Sequence, residues 1–346
     1  MSFSKHGVIA AGFRAIAASR AESWLAPLAR GIGAILMFHH VRPARADPFQ
    51  PNRLLEITPE HLDLTLRLAR ELGWEIVPLD EVPERLARRK GRFLALTFDD
   101  GYRDNRDHAL PVLRRHGVPW TMFVTTDYAS GRGSLWWLEL EEAIRASGRV
   151  SLQGRDYAAG TPAEKEAAFR ALYARLRAGP EPELRAATAS LCDRAGFDRA
   201  GLAGRLCLSW DELRTLSAAD PALTIGAHTL SHPMLAKGDE AAACREIAAS
   251  RTEIAERLGR PVRHLAYPVG DPASAGPREF ALAREAGYAT AVTTRPGHLF
   301  PEHAAHLAAL PRVSVNGLFQ TEAAMRALLS GVPFLLWNRG RRLNVA

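Results

Sequence analysis

The stretch "LALTFDDGYRDN", residues 94–105, is apolar as far as Phe98 and then presents two adjacent carboxylates, Asp99 and Asp100, before a glycine. Like charges that close repel, and one of the pair resists ionising. A cation held by one carboxylate, with the other left free as a base, removes that conflict. In an extended strand the two would face opposite sides, but where strand passes into loop both can reach one cavity. A second group, "GAHTLSHP" at 226–233, sets His228 and His232 four residues apart. One tight turn then aims both imidazoles at a single point, and Pro233 biases His232 away from helical geometry. Two histidines and one carboxylate make a metal site that leaves positions open for water and substrate.

Three further pieces carry polar residues at similar places. "HLAYPVGD", 264–271, is a strand ending in Tyr-Pro, with a turn behind it that exposes backbone N–H groups. "ILMFHHV", 35–41, ends a strand in His39 and His40, of which only one can point into a site. "LPRVSV", 310–315, carries Arg312.

The elements that must position these residues alternate along the chain. Short apolar runs predict strands at 34–38, 74–77, 93–98, 121–124, 223–227, 265–267, 289–292 and 310–315. Amphipathic segments lie between them. Thr58-Pro59 supplies a cap and a first-turn proline for one helix. Others close at Gly117 and Gly287, where glycine suits a helix C-terminus. Strands alternating with helices predict a parallel sheet with both faces covered, or a barrel. The aspartate pair and the motifs at 226–233, 264–271 and 35–41 all fall at the C-terminal ends of predicted strands, the edge where such folds gather binding and catalysis. Between about 138 and 220 the rhythm breaks, and the reading is a helical insertion with no strand in it.

The totals narrow the function classes. A chain of 346 residues, 47% apolar and 24% charged, has the composition of a soluble globular protein with a sizeable core. Cys192, Cys207 and Cys244 are too few and scattered for a disulfide framework. The net charge of +7 is spread along the chain except at "NRGRRLNVA", 338–346. Nucleic-acid binders concentrate basic charge in a patch or stripe, so no nucleic-acid partner is expected. Residues 1–30 read as an amphipathic helix, broken by Arg14, Arg20 and Glu22. That helix is expected to pack on its own domain, with contact to the inner membrane as the alternative, and the protein is expected to be cytoplasmic.

"TFDDGYRDN" followed by "HTLSHP" resembles the polysaccharide deacetylase family, which includes the nodulation-type chitooligosaccharide deacetylases. With "ILMFHHV", "HLAYPVG" and "LPRV" the resemblance runs from about residue 34 to 316 and spares the helical insertion. It implies a distorted barrel of seven or eight β/α units. It also implies a divalent metal, zinc first, with cobalt, nickel or iron as alternatives. The implied activity is removal of N-acetyl or other N-acyl groups from amino sugars of a surface glycan or a lipid-linked precursor. A catalytically inactive glycan-binding protein on the same fold is the alternative.

By motif position the resemblance makes Asp99 the general base and Asp100, His228 and His232 the metal ligands. A backbone N–H beside Pro268, from Tyr267 or Val269, would receive the oxyanion. Many members carry an arginine where this chain has Ala266, and Arg312 is the expected substitute from a neighbouring strand. The acid histidine found late in many members is missing, while "Phe38-His39-His40-Val41" resembles the Tyr-His-x-Val motif of a permuted subgroup acting on poly-N-acetylglucosamine. His39 is therefore the expected general acid, with His40 facing outward. Trp136, Trp137 and Tyr102 are read as sugar-stacking surfaces, with seating of the insertion as the other role for the tryptophans. Asp104 and Asn105 would orient the aspartate loop or cap the next helix. His298, His303 and His306 are expected in a surface loop.

Overall fold

The computed structural model describes residues 5–345. Seven parallel strands form a closed ring: β1 (Gly33–Phe38), β2 (Phe93–Phe98), β3 (Trp120–Val124), β4 (Leu223–Ala227), β5 (His264–Ala266), β6 (Thr290–Pro296) and β7 (Leu310–Ser314). Around the ring the order is β1-β7-β6-β5-β4-β3-β2, and β1 pairs with β2 from Gly33↔Phe93 to Phe38↔Phe98 to close it. Each predicted strand is present. The one expected at 74–77 is only Glu75–Ile76, which pairs with the first residues of β2 and is not a ring member.

Alternation along the strands sorts side chains into two cores. Ile35, Phe93, Ala95, Phe123, Ala266, Val292 and Leu310 share one buried cluster. Leu36, Phe38, Leu94, Leu96 and Phe98 belong to another, shared with the surrounding helices. Both faces are apolar because a parallel sheet is covered on both sides. The helix Pro59–Glu71 begins as its sequence predicts, with the Thr58 hydroxyl accepting from His61 N–H.

The insertion contains helices α4 (Trp136–Arg145), α5 (Pro162–Ala178) and α6 (Glu181–Ala195) and has its own apolar centre at Trp136, Leu140, Phe169, Leu172 and Leu191. It is not purely helical, which corrects the reading above. An antiparallel hairpin pairs Arg149–Leu152 with Arg155–Ala158. The signal was two buried residues, Val150 and Leu152, alternating with exposed ones before Gln153-Gly154. Both turn residues have positive φ, 51° and 73°, the geometry of a tight hairpin turn.

The segment expected to form one amphipathic helix forms three, α1 (Lys5–Ala18), α2 (Ala21–Trp24) and α3 (Ala26–Ala29); residues 1–4 of it lie outside the described residues. They pack on the C-terminal helices α7 (Glu322–Ser330) and α8 (Val332–Trp337). Among the described residues no helix is long and apolar enough to cross a membrane. His298 and His303 are buried and not in a surface loop. His298 Nε2–H donates to Leu328 O at 2.9 Å, tying α7 to the β6–β7 connection. Burial pushes both imidazoles down to about 4.

Candidate active site

The inner face of β2 continues the series Phe93, Ala95, Thr97, and Asp99 follows in step, so its carboxylate enters the barrel mouth. Arg312 on β7 meets it there. Its two terminal nitrogens each donate to one Asp99 oxygen at 2.7 Å, a bidentate pair with both side chains buried. The guanidinium is fixed by two more bonds, Nε–H to Thr293 O at 2.9 Å and Nη1–H to the Thr97 hydroxyl at 3.2 Å. Burial works against ionising Asp99, but the charge and hydrogen bonds of Arg312 hold its carboxyl below the usual range. The guanidinium that meets Asp99 thus stands on β7, while position 266 on β5 is an alanine.

Asp100 belongs by parity to the outer face. Its φ of 70° swings it back toward the mouth, where Oδ1 lies 3.5 Å from His228 Nε2 and 3.4 Å from His232 Nε2. One ligand atom from each of the three residues lies within 4.8 Å of the others. Asp100 Oδ1 is buried with no hydrogen-bond partner among the described residues, an arrangement that costs free energy unless a cation completes it. His228 Nδ1 is 2.7 Å from Ala266 O. A carbonyl only accepts, so that nitrogen carries the proton and Nε2 keeps its lone pair for a metal. Burial opposes ionisation of Asp100 too, yet His228 and His232 hold it well below the ordinary range. Burial pushes His232 down to about 3, leaving the neutral ring that ligates. The donor set of two imidazoles and one carboxylate therefore fits a divalent cation with open positions.

Strained backbone marks the same place. Asp100, Thr229, His232 and Val269 have φ between 60° and 70°, a region that costs L-residues energy and persists where surroundings impose it. The surroundings are visible for the histidine loop. Thr229 Oγ1 accepts from His232 N–H at 3.1 Å. Glu246, on the helix Glu240–Leu258, accepts from Leu230 N–H, Ser231 N–H and the Ser231 hydroxyl at 2.9, 2.9 and 2.7 Å. Sequence reading missed Glu246, because a glutamate nearly two turns into a helix carries no local signal of a distant loop.

The remaining expected site residues divide. His39 follows Ile35 and Met37 on the inner face of β1, and its Nε2 lies 3.9 Å from Asp99 Oδ2 with 17% of the side chain exposed. Burial lowers its pKa, the Asp99 charge opposing only in part. His40 turns away, as expected, but into the protein. Its Nδ1–H donates to Asp104 Oδ2 at 2.6 Å, and its ring stacks on Tyr102 at 3.6 Å. Asp104 also accepts from Val41 N–H and does not cap the following helix. The Asn105 side chain is buried without a hydrogen-bond partner among the described residues.

Tyr102 cannot stack on a sugar, since it is fully buried with one face against His40. Trp136 cannot either, being 2% exposed and stacked on Tyr173 of α5 at 4.9 Å. It seats the insertion. Trp137 also faces inward, its ring 4.9 Å from that of His232. Beside Pro268, Tyr267 N–H is already spent on Val292 O at 3.1 Å, and the Tyr267 hydroxyl donates to Ala308 O at 2.8 Å. Val269 N–H has no backbone acceptor among the described residues.

The family model for polysaccharide deacetylase matches residues 87–291, well over half of the chain. No curated protein matches. Among solved structures, the deacetylase PplD from Streptococcus pyogenes in complex with acetate is 17% identical, with a TM-score of 0.55 over 82% of this chain and 92% of that one. IcaB from Ammonifex degensii is 19% identical, with a TM-score of 0.54 over 86% and 97%. BC0361, a polysaccharide deacetylase from Bacillus cereus, is 16% identical, with a TM-score of 0.54 over 86% and 68%. These likenesses establish the fold, and the family match adds the chemistry. An α/β barrel with paired carboxylates and two histidines at its mouth, matched over that span, belongs to the polysaccharide deacetylase family, whose members remove acetyl groups from polysaccharides.

Proposed function

We propose that the protein is a metal-dependent N-deacetylase acting on amino sugars, N-acetylglucosamine first, in a surface polysaccharide or its lipid-linked precursor. The observation that carries this reading is the pairing of two differently held carboxylates, Asp99 on Arg312 and Asp100 facing two imidazoles. Asp100, His228 and His232 would hold the cation, zinc first, with cobalt, nickel and iron suiting the same donors. When bound, the cation polarises the acetamide carbonyl and acidifies water.

The protein groups do the rest. Asp99, kept ionised by Arg312, removes a proton from the attacking water. Val269 N–H, beside Pro268, donates to the oxygen that gains charge as the carbonyl carbon becomes tetrahedral. His39 stands next to Asp99 on the open side, as general acid for the departing amine. A neutral imidazole there takes up the proton gained by Asp99 and passes one to nitrogen, so one proton enters and one leaves per cycle.

The alanine at 266 would favour an inactive glycan-binding protein, and the Asp99–Arg312 pair weakens that reading. Acetate release from N-acetylglucosamine oligomers, assayed metal-free and after adding zinc, tests the proposal. Metal-dependent release is expected. A protein that binds metal and oligomer but releases no acyl group, from these or from lipid-linked acyl sugars, is a binding protein.

A further inference from the structure

Five of the six large apolar side chains that stand exposed among the described residues belong to one layer of the molecule. They are Val8 on α1, Trp24 and Leu28 on α2 and α3, and Leu336 and Trp337 on α8, each more than half exposed. Trp24 and Leu28 are four residues apart across two nearly continuous helical turns, so they share a face. The helices that carry these residues touch. α1 lies against α7 and α8, and α3 lies against α8. Their inward residues Ile16, Ala21, Ala29, Ala327 and Val332 form a buried cluster of their own. The turn from α7 into α8 is fitted to α3 so closely that a Cβ on Gly331 would sit 2.5 Å from Ala29 O. The two ends of the chain therefore form one platform, with its apolar interior already satisfied and a second apolar set turned outward.

Charge concentrates in the same place. Residues 1–30 and 331–346 contain seven basic residues, Lys5, Arg14, Arg20, Arg30, Arg339, Arg341 and Arg342, against one acid, Glu22. That is +6 of the chain's net +7. Arg14, Arg20, Arg339, Arg341 and Arg342 are exposed. The charge that looked dispersed along the sequence is local in the fold.

We infer that this platform docks the enzyme on an anionic lipid bilayer. Tryptophan and leucine inserted at the boundary between headgroups and acyl chains, with arginines on lipid phosphates, is the chemistry of an interfacial amphipathic surface. A second copy fits less well, because a symmetric contact would bring the arginine rims together. Nucleic acid fits less well, because its phosphates offer nothing to the outward leucines and tryptophan. The inference stands independently of the hydrolytic reading, since its readout is binding.

The test is co-sedimentation of the full-length protein with phosphatidylcholine vesicles, with and without about 30% phosphatidylglycerol. Binding is expected only, or far more strongly, with the anionic lipid, and it should weaken as salt rises. Trp24→Ser/Leu28→Ser/Leu336→Ser, and separately Arg339→Gln/Arg341→Gln/Arg342→Gln, should each weaken binding by at least about tenfold. Circular dichroism and a zinc-binding isotherm verify that both variants remain folded. Absence of sedimentation by the folded wild-type protein, or variants that bind as wild type, overturns the inference. So does sedimentation velocity showing a dimer that the apolar variant dissociates, or a DNA affinity that the arginine variant abolishes while vesicle binding persists.

Discussion

Asp99 and Asp100 are joined by one peptide bond, yet the regions on either side of that bond hold their carboxylates by opposite means. On the β7 side every polar atom has a partner: Arg312 binds both oxygens of Asp99 and is itself bound by Thr97 and Thr293. On the β4 side the partners stop short. Among the described residues, Asp100 Oδ1 and His232 Nδ1 are buried without hydrogen bonds, and the imidazoles stand 3.4–3.5 Å from the carboxylate. One half is complete as protein, and under the proposed function a cation would complete the other. That division would let two adjacent anions coexist, each offset by a different positive group.

The sharpest way to break the comparison is at Asp99. Asp99→Asn should lower turnover by about a thousandfold while a zinc isotherm stays unchanged; a fall in both would mean the two halves are one unit. On the other side, Asp100→Ala or His232→Ala should weaken zinc binding at least a hundredfold or so, with turnover recovering in part at high zinc. Equal zinc affinity in wild type and variant would remove the triad as the metal site.

Arg312→Ala probes the first half more gently. Turnover should fall by about 10- to 100-fold with metal affinity kept, and loss of the partner of a buried charge should cost about 3–5 kcal/mol in denaturant unfolding. The pH profile gives the sign. Asp99 in the wild type has a depressed pKa, so its stabilising contribution is present above about pH 4 and is lost as pH falls through the folded value. Without Arg312, only His228 and His39 oppose burial and the pKa rises, so the acid limb of the activity profile should move to higher pH. An unmoved limb would sever Arg312 from the base.

The smallest effects come from the supports. Trp137→Phe should weaken zinc by about tenfold or less through His232, and Thr97→Ala should lower turnover a few-fold through Arg312. Reversal of these two assignments would blur the boundary between the halves.

Most of this division was legible in the sequence, because strand ends are. An apolar run that stops at Asp-Asp-Gly or at His-Thr identifies both a barrel strand and what it presents. Arg312 was legible only through the resemblance, which implies an arginine where Ala266 stands, together with the presence of another strand bearing one. What could not be read was contact between distant segments. Glu246 reaches the histidine loop from a helix, and Trp136 and Tyr102 have the composition of a sugar platform but are covered on both sides. His298 and His303 look polar in sequence and are core residues, their imidazoles held by backbone groups. The hairpin at 149–158 was missed for another reason, since its strands are short and half-exposed inside an otherwise helical region.

The source of Arg312 also sets an order of assembly. Asp99 lies in the first third of the chain and Arg312 on the last ring strand, and β1 pairs with both of the strands that carry them. As the chain leaves the ribosome, Asp100, His228 and His232 are all present well before the guanidinium that Asp99 requires. A chain that ends before β7 carries both carboxylates and both histidines but lacks the guanidinium. Closing the ring and pairing Asp99 are thus one event, and only a chain made through its seventh strand holds the Asp99–Arg312 pair.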